Sequence, residues 1–400
     1  MIENCIEEGR GCHRIVHLSF STNHRARSAG QTSAEARFFV RRTQKGIVVS
    51  RTHHPSETDG CWRLGFHDSA NRPEGKYMYG ISEAVLSVFD IDRACAPLVQ
   101  AAGYGRTDLP DCPPEQMLAW HVPAGCTRIE QTLLTPPHDS RGRIRVVKFH
   151  GVDQDLIRPS QRIWDSGGIF DLDVFSSDAR ALYRRLQREH GWSAFGEPVD
   201  YVMGEFDVTQ VVATGPDGLN LAIIQPHRPP SFPLPSLDPM SRVFNSTQLV
   251  RDFDAAMGFY QDILGWKPLM AMDIDDSVEP GADVLGLPMP YAQHCKRRVG
   301  IVHPTGSNDG SIELIEIADM QGRDYADRAI APNVGLLTMR LNMPSPAAYA
   351  QEIVARGGVL YTAPIRLEIA PFGMIEMFSI RAPDGAILEF VADIGDQDTA

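Results

Sequence analysis

The sequence predicts an α+β fold built from four repeats of one strand–helix–strands unit. Three observations carry that expectation. Four stretches share an order: an apolar strand, a polar turn, a helix of about three turns, then glycine. They read "SEAVLSVFDIDRACAPLVQAAGYG", "IFDLDVFSSDARALYRRLQREHGW", "FNSTQLVRDFDAAMGFYQDILGW" and "LLTMRLNMPSPAAYAQEIVARGG". Their punctuation is spaced alike, since Asp90 to Gly103, Asp178 to Gly191 and Asp252 to Gly265 each span thirteen residues. The closing strands are also alike: "GPDGLNLAIIQ", "SIELIEIAD" and "APDGAILEFVADI".

Each part of the unit has a local reason. An aspartate suits a helix start because its carboxylate accepts from the free amides of the first turn. A glycine suits the left-handed residue beyond the helix end. The fourth copy departs, with Met343 or Pro344 near the place of the acid. Phe253, Met257, Tyr260 and Leu264 recur at steps of four, three and four, one face of a helix, and are expected in the core. Pro-Asp-Gly, present in two copies, is a tight turn feeding a hairpin strand.

Two boundaries divide the chain. Six of the fourteen residues in "PHRPPSFPLPSLDP", 226–239, are proline, which blocks helix and interior strand and predicts an extended linker. The repeats on either side make residues 78–225 one pair of units and 240–400 another. Residues 1–77 differ in composition. They hold 12 Lys and Arg against 8 Asp and Glu, and six of the 13 histidines, while the rest of the chain is strongly acidic. With only short apolar clusters, such as Phe38-Phe39-Val40, this leader is expected to be poorly ordered, the folded part beginning near Met78. It shows no secretory signal pattern.

The net charge of −13 argues against a nucleic-acid partner. No apolar run is long enough to span a bilayer. The seven cysteines are scattered, odd in number and without a CxxC pair, as expected in a reducing cytoplasm.

Taken together, "LVRDFDAAMGFYQDILGW" and "APDGAILEFV" resemble the vicinal oxygen chelate superfamily, which includes glyoxalase I, extradiol dioxygenases and bleomycin-resistance proteins. The resemblance covers about four fifths of the chain, all but the leader. It implies four βαβββ modules in two pairs, each pair wrapping a curved mixed β-sheet around a cavity. It also implies ligand positions of two kinds. One lies in a module's first strand, seven residues before the helix-leading acid, and falls on Glu83, Asp171, Asn245 and Leu336. The other, a glutamate in the module's last strand, falls on Glu130, Ala222, Glu313 and Glu389.

No histidine occupies any of these positions. An iron extradiol dioxygenase, which needs imidazoles, is therefore disfavoured. What remains is oxygen-only. Glu83, Glu130 and Asp171 are expected to meet in one cavity, and Asn245, Glu313 and Glu389 in the other. Such sets suit Mg²⁺ or Mn²⁺, or a metal-free site with a carboxylate as general base. Without a cofactor, Glu389 is the expected base, with Glu313 and Asn245 beside it. "WHVPAGCTRIE" and "VHPTGSNDGSIE" each place a histidine before an Ile-Glu strand, so His121 and His303 are further acid–base candidates. Tyr260 and Tyr291 are candidate oxyanion donors. His294 and Arg298 belong to a basic cluster suited to an acidic substrate group.

The function this predicts is a lyase or isomerase that transfers protons on a small oxygenated molecule, without a histidine metal centre. Two alternatives stay open: a non-catalytic drug-binding protein, and a Mg²⁺- or Mn²⁺-dependent enzyme. The expected partner is a small molecule, not nucleic acid or membrane, with assembly into a homo-oligomer left open.

Overall fold

The structure, a computed structural model, describes residues 80–160, 162–203, 206–229, 234–274, 287, 291 and 295–395, with the backbone of two strands at 38–43 and 46–51. The chain divides into Met1–Glu74 and Gly75–Ala400. In the first unit Phe38–Thr43 (β1) and Gly46–Arg51 (β2) form an antiparallel hairpin, so Phe38-Phe39-Val40 lies on a strand. The expectation of poor order for the leader otherwise falls outside the described residues.

The second unit contains the four modules. The first runs through β3 (Ile81–Ser87), α1 (Ile91–Gln100), β4 (Gly105–Leu109), α2 (Pro114–Ala119), β5 (Arg128–Thr135) and β6 (Arg143–His150). The second has β7 (Asp171–Phe175), α3 (Ala179–His190), β8 (Ser193–Ala194), β9 (Val199–Met203), β10 (Phe206–Thr214) and β11 (Asn220–Pro226). The third has β12 (Asn245–Leu249), α4 (Phe253–Gly258), β13 (Lys267–Ile274), β14 (Arg297–His303) and β15 (Ser311–Ile317). The fourth has β16 (Gly335–Asn342), α5 (Pro346–Ala355), β17 (Leu360–Ile369), β18 (Gly373–Arg381) and β19 (Ile387–Asp393).

The punctuation acts as its chemistry predicts. Asp90, Asp178 and Asp252 cap α1, α3 and α4 by accepting from the amides of Arg93, Ala181 and Ala255. Gly103, Gly191 and Gly265 take φ of 77°, 69° and 73°, a conformation that would strain any side chain. In the fourth module Ser345 stands at the cap without a side-chain bond.

Two mixed sheets result. Sheet one has the order β17-β18-β19-β16-β3-β6-β5-β4, and sheet two β13-β14-β15-β12-β7-β11-β10-β8, with β9 on β10. The module partners differ from the expected sequential pairs. Sheet one joins the first module to the fourth through antiparallel β3 and β16. Sheet two joins the second to the third through antiparallel β7 and β12. Each module leaves one edge of its first strand unpaired, and any other module's first strand can fill it. Chain neighbours are therefore not forced to be sheet neighbours.

Because side chains alternate along strands, each sheet has two faces. One face of both sheets packs into a single core with the helices, through residues such as Leu86, Leu172, Leu314 and Leu388 with Leu98, Leu186, Met257 and Ile353. The opposite face, here the site face, is lined in sheet one by Val85, Ile129, Val147, Met377 and Val391. In sheet two it carries Val212, Ala222, Leu249, Val299 and Ile315. The buried polar groups lie among these apolar residues. No helix among the described residues is long and apolar enough to cross a membrane.

Candidate active site

The sheet pairing decides which candidates meet. Glu83 and Glu389 fall in sheet one, whereas Asp171, Asn245 and Glu313 fall in sheet two. Neither expected trio converges. Glu130 departs further. The module's last strand is β6, not β5, because β6 is the strand parallel to β3. Glu130 therefore stands one strand away, side-chain 43% exposed, bonded to His150 at 3.0 Å and to Arg128 at 3.4 Å. Leu336 is likewise not the partner of Glu389. Strand register places Arg340 there.

Sheet one buries a closed charge network. Arg145 grips Glu83 with two hydrogen bonds, Nε to Oε2 at 2.9 Å and Nη2 to Oε1 at 3.0 Å. Arg340 donates from Nη1 to the same Glu83 at 2.8 Å and from Nε to Glu389 at 2.6 Å. The remaining valences are taken by neutral groups. Gln131 accepts from Arg145, Gln116 from Arg340, and Trp120 donates its indole N–H to Glu389. Gln116 and Trp120 arrive from α2 and its end, so that short helix plugs the face. Glu83 and Glu389 have no exposed surface. Burial alone would raise the pKa of Glu83, but the two guanidiniums outweigh it and hold the carboxyl below the usual range. Two carboxylates facing two guanidiniums leave no spare charge for chemistry. Glu389, expected as the base, instead accepts from Arg340 and Trp120 inside this network.

Sheet two is built oppositely. Asp171 and Asp173 alternate onto the site face of β7, directly across from Thr247 and Asn245 of β12. Glu313 of β15 lies beside Thr247, whose hydroxyl donates to its Oε2 at 3.1 Å. Asp171, Asp173, Asn245 and Thr247 are each at most 5% exposed. Glu313 keeps some exposed surface while its carboxyl is surrounded by protein. Among the described residues none of the three carboxyls makes an ion pair. Burial and mutual repulsion therefore raise them all. Desolvation pushes Asp171 up to about 6 and, with the charge of Asp171 added, Glu313 up to about 7. Asp173 is raised well above the ordinary value by burial and by both neighbours, and it hydrogen-bonds with Asp171 when one of the two is protonated. Tyr201 on β9 is near enough to feel Glu313 and Asp173, and its hydroxyl donates to Gln210.

The other candidates take different places. His303 is 1% exposed and organises the β14–β15 connection. Its Nδ1 accepts from the amides of Thr305 and Ser307, both at 3.0 Å, and its Nε2 bonds the carbonyl of Asp309. Burial lowers its pKa to about 4, so it is a neutral structural ring and not a proton carrier. His121 is exposed after α2, stacked on Tyr361. Tyr260 faces the helix-side core and donates to Gln248 at 2.8 Å. Tyr291 is 46% exposed against Trp164. Arg298 points to the helix side of sheet two, paired with Asp254 and lying over the Phe253 ring of α4. His294 lies outside the described residues. A cavity of about 510 Å³ between α2 and β17, lined by Leu118, His121, Tyr361 and Ile365 among others, contains none of the buried carboxyls.

Sequence reasoning missed Arg145, Arg340, Asp173, Thr247 and Tyr201. Two of these had a signal: Arg145 between Ile144 and Val146, and Arg340 between Met339 and Leu341, interrupt apolar strands and ask for a buried partner.

A divalent metal, not expected but left open by the oxygen-only ligand positions, fits neither sheet as arranged. In sheet one the carboxylates are already neutralised by arginine. In sheet two the donors are oxygens, right for a hard cation. Yet among the described residues no three Asp, Glu, His or Cys side chains converge to chelate one.

Comparison with known proteins points to the fold. The chain is similar to the structure of glyoxalase I from Zea mays, with 15% sequence identity and a TM-score of 0.52 over 79% of this chain and 93% of that one. A point mutant of the same maize enzyme gives 16% and 0.53 over 79% and 94%. No protein-family model matches the sequence, and no curated protein does.

Proposed function

We propose, on the premise that this chain has the vicinal oxygen chelate fold, an enzyme that moves protons on a small oxygenated organic molecule with the carboxyl cluster of sheet two. The observation that carries this reading is the contrast between the two sheets. One buries its carboxylates against arginines, while the other buries three carboxyls that make no ion pair among the described residues and whose pKa values are raised. A general base works best with a pKa near the working pH. Glu313, at about 7 and held by Thr247, has that property.

In an isomerisation, Glu313 takes a proton from carbon beside a carbonyl. The electron pair moves to the carbonyl oxygen, which accepts the shared proton of the Asp171–Asp173 pair. The reverse transfers complete the shift: the neighbouring hydroxyl returns a proton to the Asp171–Asp173 pair, and Glu313 gives its proton to the former carbonyl carbon. With a leaving group on the carbon on the other side of the deprotonated one, the enol instead returns its O–H proton to the pair and expels that group with its bonding electrons, and the group departs with the proton that Glu313 holds. Support for an isomerase or lyase thus rests on a base and a separate acid on one face.

Exchange of substrate carbon-bound hydrogen for deuterium, followed by NMR over a panel of hydroxyketones and hydroxyaldehydes in D₂O, tests the reading. Glu313→Gln is expected to slow exchange roughly a hundred- to ten-thousand-fold, and the wild-type rate to rise as pH passes through about 7. Exchange that survives Glu313→Gln intact would sink the proposal. A non-catalytic binding protein has one observation in its favour, the cavity between α2 and β17. Its ligand would bind equally well to Glu313→Gln.

A further inference from the structure

On β7 and β12 the site face of sheet two offers mostly acceptors, while the buried Arg297 stands on the same face farther out, on β14. Oδ1 of Asp171, Oδ1 of Asp173 and Oδ1 of Asn245 are all buried without a hydrogen-bond partner. Asn245 is 2% exposed and stands directly across the strand pair from Asp173, on the same face. An amide oxygen left without a partner at that depth is costly, and three such acceptors on two neighbouring strands call for a ligand that donates. The charge requirement agrees, because three carboxyls are held together with no ion pair among the described residues. A metal ion is less suited, because among the described residues no three Asp, Glu, His or Cys side chains converge to chelate one. An ammonium group needs no such convergence, since its N–H bonds diverge tetrahedrally and each meets a separate acceptor.

We infer that the sheet-two site takes a ligand bearing a primary ammonium group, held by Asp171, Asp173 and Asn245, with Glu313 at the partly exposed rim. The inference rests on the proposed use of this same site and names the substrate class: a small oxygenated amine, not a carboxylate or a phosphate. It has a chemical consequence. The cluster on its own stabilises itself by keeping protons. An arriving ammonium displaces one of them and leaves the Asp171–Asp173 pair its shared proton, so binding releases a proton to solvent, and affinity rises with pH.

The test is calorimetric titration of the full-length protein at pH 6 with n-butylammonium chloride, 1-butanol and MgCl₂ as probes, in two buffers of different ionisation enthalpy. The expected result is saturable binding of the ammonium alone, with a buffer-dependent enthalpy marking proton release. Its affinity should tighten about tenfold per pH unit between pH 5 and 6 if one proton leaves. Asp173→Asn should weaken it at least about tenfold. Should that variant fail to fold, Asn245→Leu, which removes the orphaned acceptor without touching charge, is expected to weaken it as well. Binding of 1-butanol as tight as that of the amine, binding of Mg²⁺ in its place, or no binding of the amine at all would each overturn the inference. These measurements need no turnover. Loss of deuterium exchange in Glu313→Gln alongside an amine that does not bind would overturn the substrate class alone. Amine binding without any exchange would support the class and overturn the catalytic reading.

Discussion

Arg340 and Glu313 show how much one residue's surroundings decide. Arg340 joins two buried glutamates, one from each module of sheet one. Removing one partner from such a network leaves uncompensated charge in the interior. Arg340→Ala is therefore expected to destabilise the fold by about 3–5 kcal/mol, read as a lower urea midpoint with an unchanged slope. Glu389→Gln should act on stability and leave hydrogen exchange on substrate nearly intact. Glu313 behaves in the opposite sense. Its folded pKa, like that of Asp171, is raised, so the fold favours the protonated form. That contribution is complete below the ordinary carboxylate range and is lost as pH rises through about 6 for Asp171 and about 7 for Glu313. Thermal midpoints should fall between pH 5 and pH 8, and Glu313→Gln should flatten the slope. A wild-type midpoint that rises over that interval would contradict the assignment.

At the scale of elements, α2 and the β14–β15 connection determine what each sheet can do. Helix α2 is short, yet it brings Gln116 and Trp120 onto sheet one and completes the charge network there. The β14–β15 connection is wrapped around His303. Burial depresses this ring, so its stabilisation is present above the ordinary value of 6.5 and is lost as pH falls toward about 4. Amides of Thr305 and Ser307, which donate to the neutral ring, should lose exchange protection across that interval. In His303→Ala they should be unprotected at every pH. Protection that persists in the variant would show that the turn holds itself.

For the whole molecule, the exchange of module partners has the widest consequence. A fragment of residues 78–225 carries β3 and β7, whose antiparallel partners β16 and β12 both lie in residues 240–400. Each half alone would expose two unpaired central strands and half of the shared core. Either fragment is expected to show no cooperative melt by circular dichroism, with the transition restored when the two are mixed. A fragment that unfolds cooperatively by itself would mean that sequential modules also pair.

The sequence by itself determined the modules. The caps at Asp90, Asp178 and Asp252, the left-handed glycines thirteen residues on and the strand alternation are local facts, fixed by backbone sterics and by hydrogen bonds within a few residues. They also revealed the absence of imidazole at the family's ligand positions. Which carboxyl meets which was decided only by the tertiary structure. The first strand of each module has the same open edge, and its hydrogen bonds would be satisfied by any of three others, so no local rule selects the partner. The choice of first with fourth and second with third separated Glu389 from Glu313. It closed Glu83 and Glu389 against two arginines that lie 62 and 257 residues from Glu83 in the chain. It left Asp171, Asp173 and Glu313 together with no ion pair among the described residues, and burial, which depends on every neighbour at once, then raised their pKa values.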